Sequence, residues 1–237
     1  MKSTFEDPGA TPDPELHRRR LAGFVDAARA NPPPGMRVRT EAELDESLSG
    51  MLQAHPPAHD VDVFGYGSLM WNPALAHSRA QKARVLGWHR RFCLRQYLGR
   101  GAPDAPGVTL ALDRGGSCYG VAYRIPAARV REELRALWRR EMAFGAYEAR
   151  WLSATCEDGA LTVLTFVANR SSERYLGKAG LDQIAQLVRT GKGTLGTSRD
   201  YFESSLHSLL ALGVTDAGME RLRLAVLQAD ENAAARQ

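Results

Sequence analysis

The sequence predicts an α+β fold. Strand-forming runs crowd the first two-thirds of the chain, helical patterns are inserted among them, and helices dominate from residue 181 to the end. No segment repeats, and strands and helices do not alternate in a βαβ series. With 44% hydrophobic and 24% charged residues over 237 positions, the composition is that of a globular protein able to bury a core.

Residues 1–15 are rich in Pro and Asp without periodicity, which predicts a loose tail. A short helix is expected over 16–30, carrying Leu16, Leu21, Phe24, Val25 and Ala28, with Pro32-Pro33-Pro34-Gly35 as its breaker. Thr40 is a good N-cap for a second helix, and Glu43 three residues on completes a capping box. Leu44, Leu48, Met51 and Leu52 follow at helical spacing until His55-Pro56-Pro57 stops the pattern. His55 and His59 are four apart, but the prolines between them forbid a helical metal face. Residues 1–60 are therefore expected to form an extension, and 61–230 the main domain.

Val61-Asp62-Val63-Phe64 reads as a strand entering a tight Gly-Tyr-Gly-Ser turn. Strands are expected at 82–97, 107–112 and 118–125. Pro126 opens a helix whose apolar stripe is Val130, Leu134, Leu137 and Trp138; Glu132 and Glu133 are assigned to its outer side. Asp158-Gly159, between the runs 151–156 and 161–167, predicts a hairpin. Thr197 or Ser198 caps a late helix with the stripe Phe202, Leu206, Leu209 and Leu210.

Charge and cysteine usage narrow the function. The formal net charge is +4 with basic residues scattered; the run Arg18-Arg19-Arg20 is shorter than a nucleic-acid footprint and is assigned to a solvated face. Cys93, Cys118 and Cys156 are odd in number, widely spaced and without a CxxC, which argues against a disulfide framework and a zinc site. Cys93 and Cys118 lie in apolar runs, as buried small hydrophobes do. No signal core and no membrane-length apolar window occurs. The expectation is a cytoplasmic protein, a monomer by default, with no nucleic-acid or membrane partner.

Three features can carry chemistry. In Gly65-Tyr66-Gly67-Ser68-Leu69, a strand ends in glycines that let several backbone N–H groups converge on one anion. A plain tight turn reads equally well from these residues. Position 70 is Met, so a G-x-G-x-x-G dinucleotide fingerprint fails, and Ser68 lacks the flanking glycines of a nucleophile elbow. Glu141 extends the apolar stripe four residues beyond Leu137 and three beyond Trp138. A glutamate there is either a proton carrier with a raised pKa or the partner of an arginine such as Arg139 or Arg140. Tyr201, in the first turn of the late helix and beside its stripe, is placed to reach a pocket or to be an ordinary half-buried tyrosine.

Together and in this order, these features resemble the ChaC family of γ-glutamylcyclotransferases. The stretch Val63-Phe64-Gly65-Tyr66-Gly67-Ser68-Leu69-Met70-Trp71-Asn72-Pro73 is similar to the family's opening motif. Gly120 to Ile125 resembles its central strand, and Trp138-Arg139-Arg140-Glu141-Met142 the segment carrying its catalytic glutamate. Ala168-Asn169-Arg170, Gly191-Lys192-Gly193 and the stretch from Gly196 to Leu206 are similar to its C-terminal portion. The resemblance runs from about residue 61 to 228. It implies a mixed β-barrel with flanking helices and cleavage of glutathione to 5-oxoproline and cysteinylglycine. It further implies that no metal or organic cofactor is needed.

Carried over by position, the resemblance makes Glu141 catalytic and puts Tyr66, Gly67, Ser68, Leu69, Met70, Trp71 and Tyr201 in the substrate site. Many family members continue after the glutamate with Lys and paired glycines, whereas this chain has Met142-Ala143-Phe144-Gly145-Ala146-Tyr147. Two other readings stay open on these residues: a cyclotransferase for other γ-glutamyl amines or amino acids, and a non-catalytic module that binds a carboxylate.

Overall fold

A computed structural model describes residues 14–32, 36–54 and 59–235. The predicted tail up to residue 13, most of the Pro32–Gly35 breaker and the His55-Pro56-Pro57 stop lie outside the described residues.

Two helices precede the sheet, α1 (Pro14–Ala30) and α2 (Glu41–Gln53). Thr40 caps α2 with the expected reciprocal box: its side chain accepts from the Glu43 N–H while Glu43 reaches back to the Thr40 N–H. Five strands follow, β1 (Val61–Gly65), β2 (Arg79–Gln96), β3 (Gly107–Ile125), β4 (Tyr147–Cys156) and β5 (Gly159–Ala168). They close into a barrel in the order β1-β3-β2-β4-β5. The barrel is mixed because β1 closes onto β5 in parallel, Asp62 opposite Val163, while β1–β3, β2–β3 and β4–β5 are antiparallel. Closure leaves no long unpaired edge, which suits strands as apolar as these.

The expected pair of strands at 107–112 and 118–125 is one strand, β3. Asp113-Arg114-Gly115-Gly116 looks like a turn in sequence. In the sheet, Leu86 faces Ser117 and Trp88 faces Arg114, so Gly87 alone opposes Gly115 and Gly116. All three glycines have positive φ, and the result is a bulge that bends the hairpin without ending it. Asp158-Gly159 makes the predicted hairpin, with Cys156 paired to Gly159.

Between β3 and β4, Pro126 precedes a short 3-10 turn, Ala127–Arg129, and the α-helix proper, α3, starts at Val130 and runs to Met142. Val130, Leu134, Leu137 and Trp138 are buried as expected, and Trp138 meets the Phe166 ring edge-on at 5.4 Å. Glu133, expected on the outer side, is 1% exposed. It lies three residues after Val130 and four before Leu137, which places it on the same stripe.

After the barrel come α4 (Leu181–Thr190), a minimal hairpin of β6 (Lys192–Gly193) with β7 (Gly196–Thr197), α5 (Ser198–Ala211) and α6 (Ala217–Ala234). Thr197 caps α5 in a capping box with Asp200. The buried face of α5 is rotated from the expected stripe: Leu210 is 77% exposed, and Tyr201, Ser205 and Ser208 are buried with Phe202 and Leu209. The small serines let α5 sit close to its neighbours, each returning its hydroxyl to the carbonyl four residues back.

Candidate functional site

A cleft of about 680 Å³ opens where the end of β1, the C-terminus of α3 and the N-terminus of α5 converge. Ser68, Trp71, Glu141 and Tyr201 line it. Tyr66, Gly67, Leu69 and Met70 are not on its wall, and their contacts show what they hold instead.

Tyr66 is buried, and its hydroxyl donates to the Phe166 carbonyl at 2.6 Å, tying the turn to β5. Its own carbonyl accepts from Arg90 Nε at 2.6 Å. The Arg90 side chain is 0% exposed and pairs with Asp216 at 2.9 Å, so a fully buried cation braces the turn from behind. Leu69 and Met70 point into the core; the Leu69 carbonyl accepts from the Tyr123 hydroxyl at 2.9 Å. Ser68–Met70 form a single 3-10 turn. N–H groups at the start of such a turn have no partner within it. Gly67 backs directly onto Tyr201: a Cβ there would stand 2.9 Å from the phenol oxygen.

Glu141 sits in the last turn of α3 with its side chain 13% exposed. Burial raises its carboxyl above the ordinary carboxylate value, and the neighbouring Arg140 guanidinium pulls the other way without cancelling it. Arg140 Nε lies 2.9 Å from the Glu141 carboxylate. The same guanidinium donates to the Asn72 carbonyl at 2.8 Å and to Ser68 Oγ at 2.7 Å. Ser68 in turn bonds the Tyr201 phenol through both backbone and side chain. One connected network thus runs Glu141–Arg140–Ser68–Tyr201. The arginine partner is a fact of the geometry, and burial still holds the carboxyl above its ordinary value beside it.

One more tyrosine completes the polar lining. Tyr147 is on the wall of the cleft, and its hydroxyl donates to the Leu110 carbonyl at 2.8 Å. Burial first, and the charge of Glu141 among the lesser causes, raises Tyr147 and Tyr66 well above the usual phenol value and Tyr201 to about 12. All three stay protonated donors at neutral pH.

Sequence reasoning singled out neither Arg140, Tyr147, Arg100 nor Arg174 as lining residues, yet all four line the cleft. Arg140 offers a signal, since it adjoins Glu141 and was named as a possible partner. Arg174 comes from the segment after β5, held by its bonds to the Arg95 carbonyl at 2.9 Å and Gln96 at 2.6 Å; nothing local in sequence points it there. Cys93 and Cys118 are buried away from the cleft wall, and burial raises them to about 12 and about 11, as expected of inert thiols. The run Arg18-Arg19-Arg20 is not simply solvated: Arg18 pairs with buried Glu133, and Arg20 lines the cleft.

A family profile described as ChaC-like protein matches residues 61–229. The glutathione-specific γ-glutamylcyclotransferase of Escherichia coli (strain K12) is 39% identical over 181 residues, 76% of this chain and 78% of that protein. The glutathione-specific γ-glutamylcyclotransferase 1 of Rattus norvegicus is 34% identical over 185 residues, 74% of this chain and 78% of the rat protein. A crystal structure of a γ-glutamyl cyclotransferase specific to glutathione from yeast superposes with a TM-score of 0.67 at 19% identity, over 72% of this chain and 96% of that one. At that identity the superposition speaks for the fold alone, a cyclotransferase-type barrel. With the profile covering the whole barrel and the C-terminal helices, this chain belongs to the ChaC-like protein family.

Proposed function

We propose that this chain is a glutathione-specific γ-glutamylcyclotransferase, releasing 5-oxoproline and cysteinylglycine, with Glu141 as its proton carrier. The observation that carries the site assignment is a carboxylate, mostly buried and raised in pKa, on the wall of the cleft that Ser68 and Tyr201 also line.

The chemistry follows from the substrate. A γ-glutamyl group carries its own nucleophile, so no serine or cysteine nucleophile is required. Its α-amine has an ordinary pKa near 8 and must lose a proton to attack. Once it is neutral, its nitrogen bonds to the γ-carbonyl carbon and closes a five-membered ring while Glu141 takes one of the two protons still on that nitrogen. The tetrahedral oxyanion then collapses, the amide C–N bond breaks, and Glu141 returns the proton to the departing amine. Atoms balance without water.

The Gly67–Leu69 turn holds the γ-glutamyl end in its cyclising conformer, and its N–H groups are our candidates for the oxyanion donors. Orienting such an intramolecular attack is worth up to about 7–11 kcal/mol. Tyr66, Leu69 and Met70 contribute through the turn's backbone and its anchoring, while Ser68, Trp71 and Tyr201 offer side chains to the substrate. The three cysteines are free, in keeping with the reducing cytoplasm we propose as its compartment.

The test is Glu141→Gln with glutathione, measuring 5-oxoproline. The expected result is a folded protein that binds glutathione and has lost about 10²–10⁴ in kcat. A folded variant with near wild-type turnover would remove Glu141 from the mechanism.

A further inference from the structure

The cleft has a second wall of different origin. Arg20, Leu21, Phe24 and Val25 of α1 line it, and α1 lies N-terminal to the segment 61–229 that matches the family profile. The docking of α1 is specific. Arg18 bonds the Ala74 carbonyl at 2.6 Å and pairs with Glu133, whose side chain is 0% exposed and also pairs with Arg129 at 2.7 Å. Asp26 pairs with Arg139 at 2.6 Å, two residues from Glu141. The buried Glu133, unexplained by the chemistry of the barrel, is thus an anchor for α1. Phe24 then packs edge-on against Phe144 at 5.9 Å, and its ring also approaches Gly99 on the adjoining loop. Arg20 is one helical turn before Phe24 and shares its face.

Four arginines line the cleft, and they differ in what they hold. Arg140 is engaged by Ser68, Asn72 and Glu141. Arg174 is engaged by Arg95 and Gln96. Arg100 donates to the Thr197 carbonyl at 3.3 Å and stacks over Tyr201. Arg20 has no hydrogen-bond or ion-pair acceptor among the described residues. It presents a guanidinium that no described residue engages, the group best matched to a carboxylate.

We propose that α1 completes the leaving-group half of the pocket and that Arg20 binds the carboxylate at the far end of the substrate, making it a specificity-determining residue. The inference rests on the proposed reaction: with the γ-glutamyl end held at the Ser68 turn, the carboxylate of the departing dipeptide is the anion left to be recognised. The extension is then part of the active site, and it selects a carboxylate-terminated leaving group over a neutral one.

The experiment compares full-length wild type, Arg20→Ala and Arg20→Lys on glutathione and on glutathione amidated at its glycine carboxylate. Release of 5-oxoproline gives kcat/KM. Calorimetric binding of both compounds, in a Glu141→Gln background, gives affinity without turnover. The expected wild-type preference for glutathione over the amide is about tenfold or more in both readouts, from one charge-assisted contact. Arg20→Ala brings that ratio to near one by raising KM for glutathione, and Arg20→Lys restores part of it. An unchanged ratio in Arg20→Ala, or equal losses on both compounds, overturns the assignment. Absence of 5-oxoproline from the wild type would instead refute the proposed reaction, while the binding ratio would still report on Arg20.

Discussion

Asp113 offers a sharp test of how the fold holds its site segments. Its side chain is 3% exposed and is surrounded by hydrogen-bond donors: Arg170 within 2.8 Å, Arg91 at 3.1 Å, and the Tyr175 hydroxyl at 2.7 Å. Arg170 and Tyr175 flank Arg174, so this carboxylate pins to β3 the segment that carries an arginine into the cleft. Burial alone would raise its pKa, but the hydrogen bonds from Tyr175, Arg170, Arg91 and the Arg114 N–H together outweigh burial and lower it from 3.8 to about 2. At about 1.4 kcal/mol per tenfold change in proton affinity, that is about 2–3 kcal/mol of folding free energy at pH 7. A depressed carboxylate contributes its stability in full above its unfolded pKa and loses it as the pH falls toward the folded one. The contribution should therefore drop to roughly half by pH 3. Asp113→Asn keeps the shape and removes the charge. Urea unfolding of wild type and variant at several pH values should show a gap of about 2–3 kcal/mol at pH 7 that narrows steadily below pH 4. A gap under about 0.5 kcal/mol at pH 7, or one that stays constant down to pH 3, would refute the reasoning.

Three further outcomes are expected. A base must be ionised to accept a proton, so kcat/KM on glutathione should fall as pH drops through a Glu141 pKa above the ordinary 4.5; Arg140→Gln removes the charge that holds it down and should move this acid limb to higher pH, a limb that stays put or moves down counting against the pairing. Gly67→Ala puts a methyl 2.9 Å from the Tyr201 hydroxyl and should cost about tenfold or more in kcat/KM, with part of the loss recovered when Tyr201→Phe removes the clashing oxygen; no recovery would locate the damage elsewhere. Thr197→Ala deletes the capping box that starts α5 one turn before Tyr201 and should cost about 1 kcal/mol in urea unfolding, while Thr197→Ser should be close to neutral.

Much of this fold is local physics and was legible in the chain. The capping residues Thr40 and Thr197, the Asp158-Gly159 hairpin and the apolar stripe of α3 follow from short-range rules that the tertiary structure has no reason to override. Local rules failed where one signal has two uses. Gly115-Gly116 is a turn signal in isolation and a bulge when a paired strand supplies Gly87 opposite. Leu210 is apolar enough for a core stripe, but the close approach permitted by Ser205 and Ser208 rotated α5 and left it in solvent. Glu133 is expected off the stripe, although its spacing from Val130 and Leu137 puts it on the buried face; its partner, Arg18, lies 115 residues away.

The same division runs through the site. Sequence by itself determined that a glycine-rich turn ends the first strand, that Glu141 continues a buried helical face, and that Tyr201 falls in the first turn of a late helix. Each is a matter of spacing along one element. Only the tertiary structure decided that Arg140 links Glu141 to Ser68 and on to Tyr201, and that Tyr66, Leu69 and Met70 turn away from the cleft to anchor it. It alone brought Arg174 and α1 onto the cleft wall. Barrel closure and helix docking join residues more than a hundred positions apart, and no periodicity within one segment encodes such a meeting.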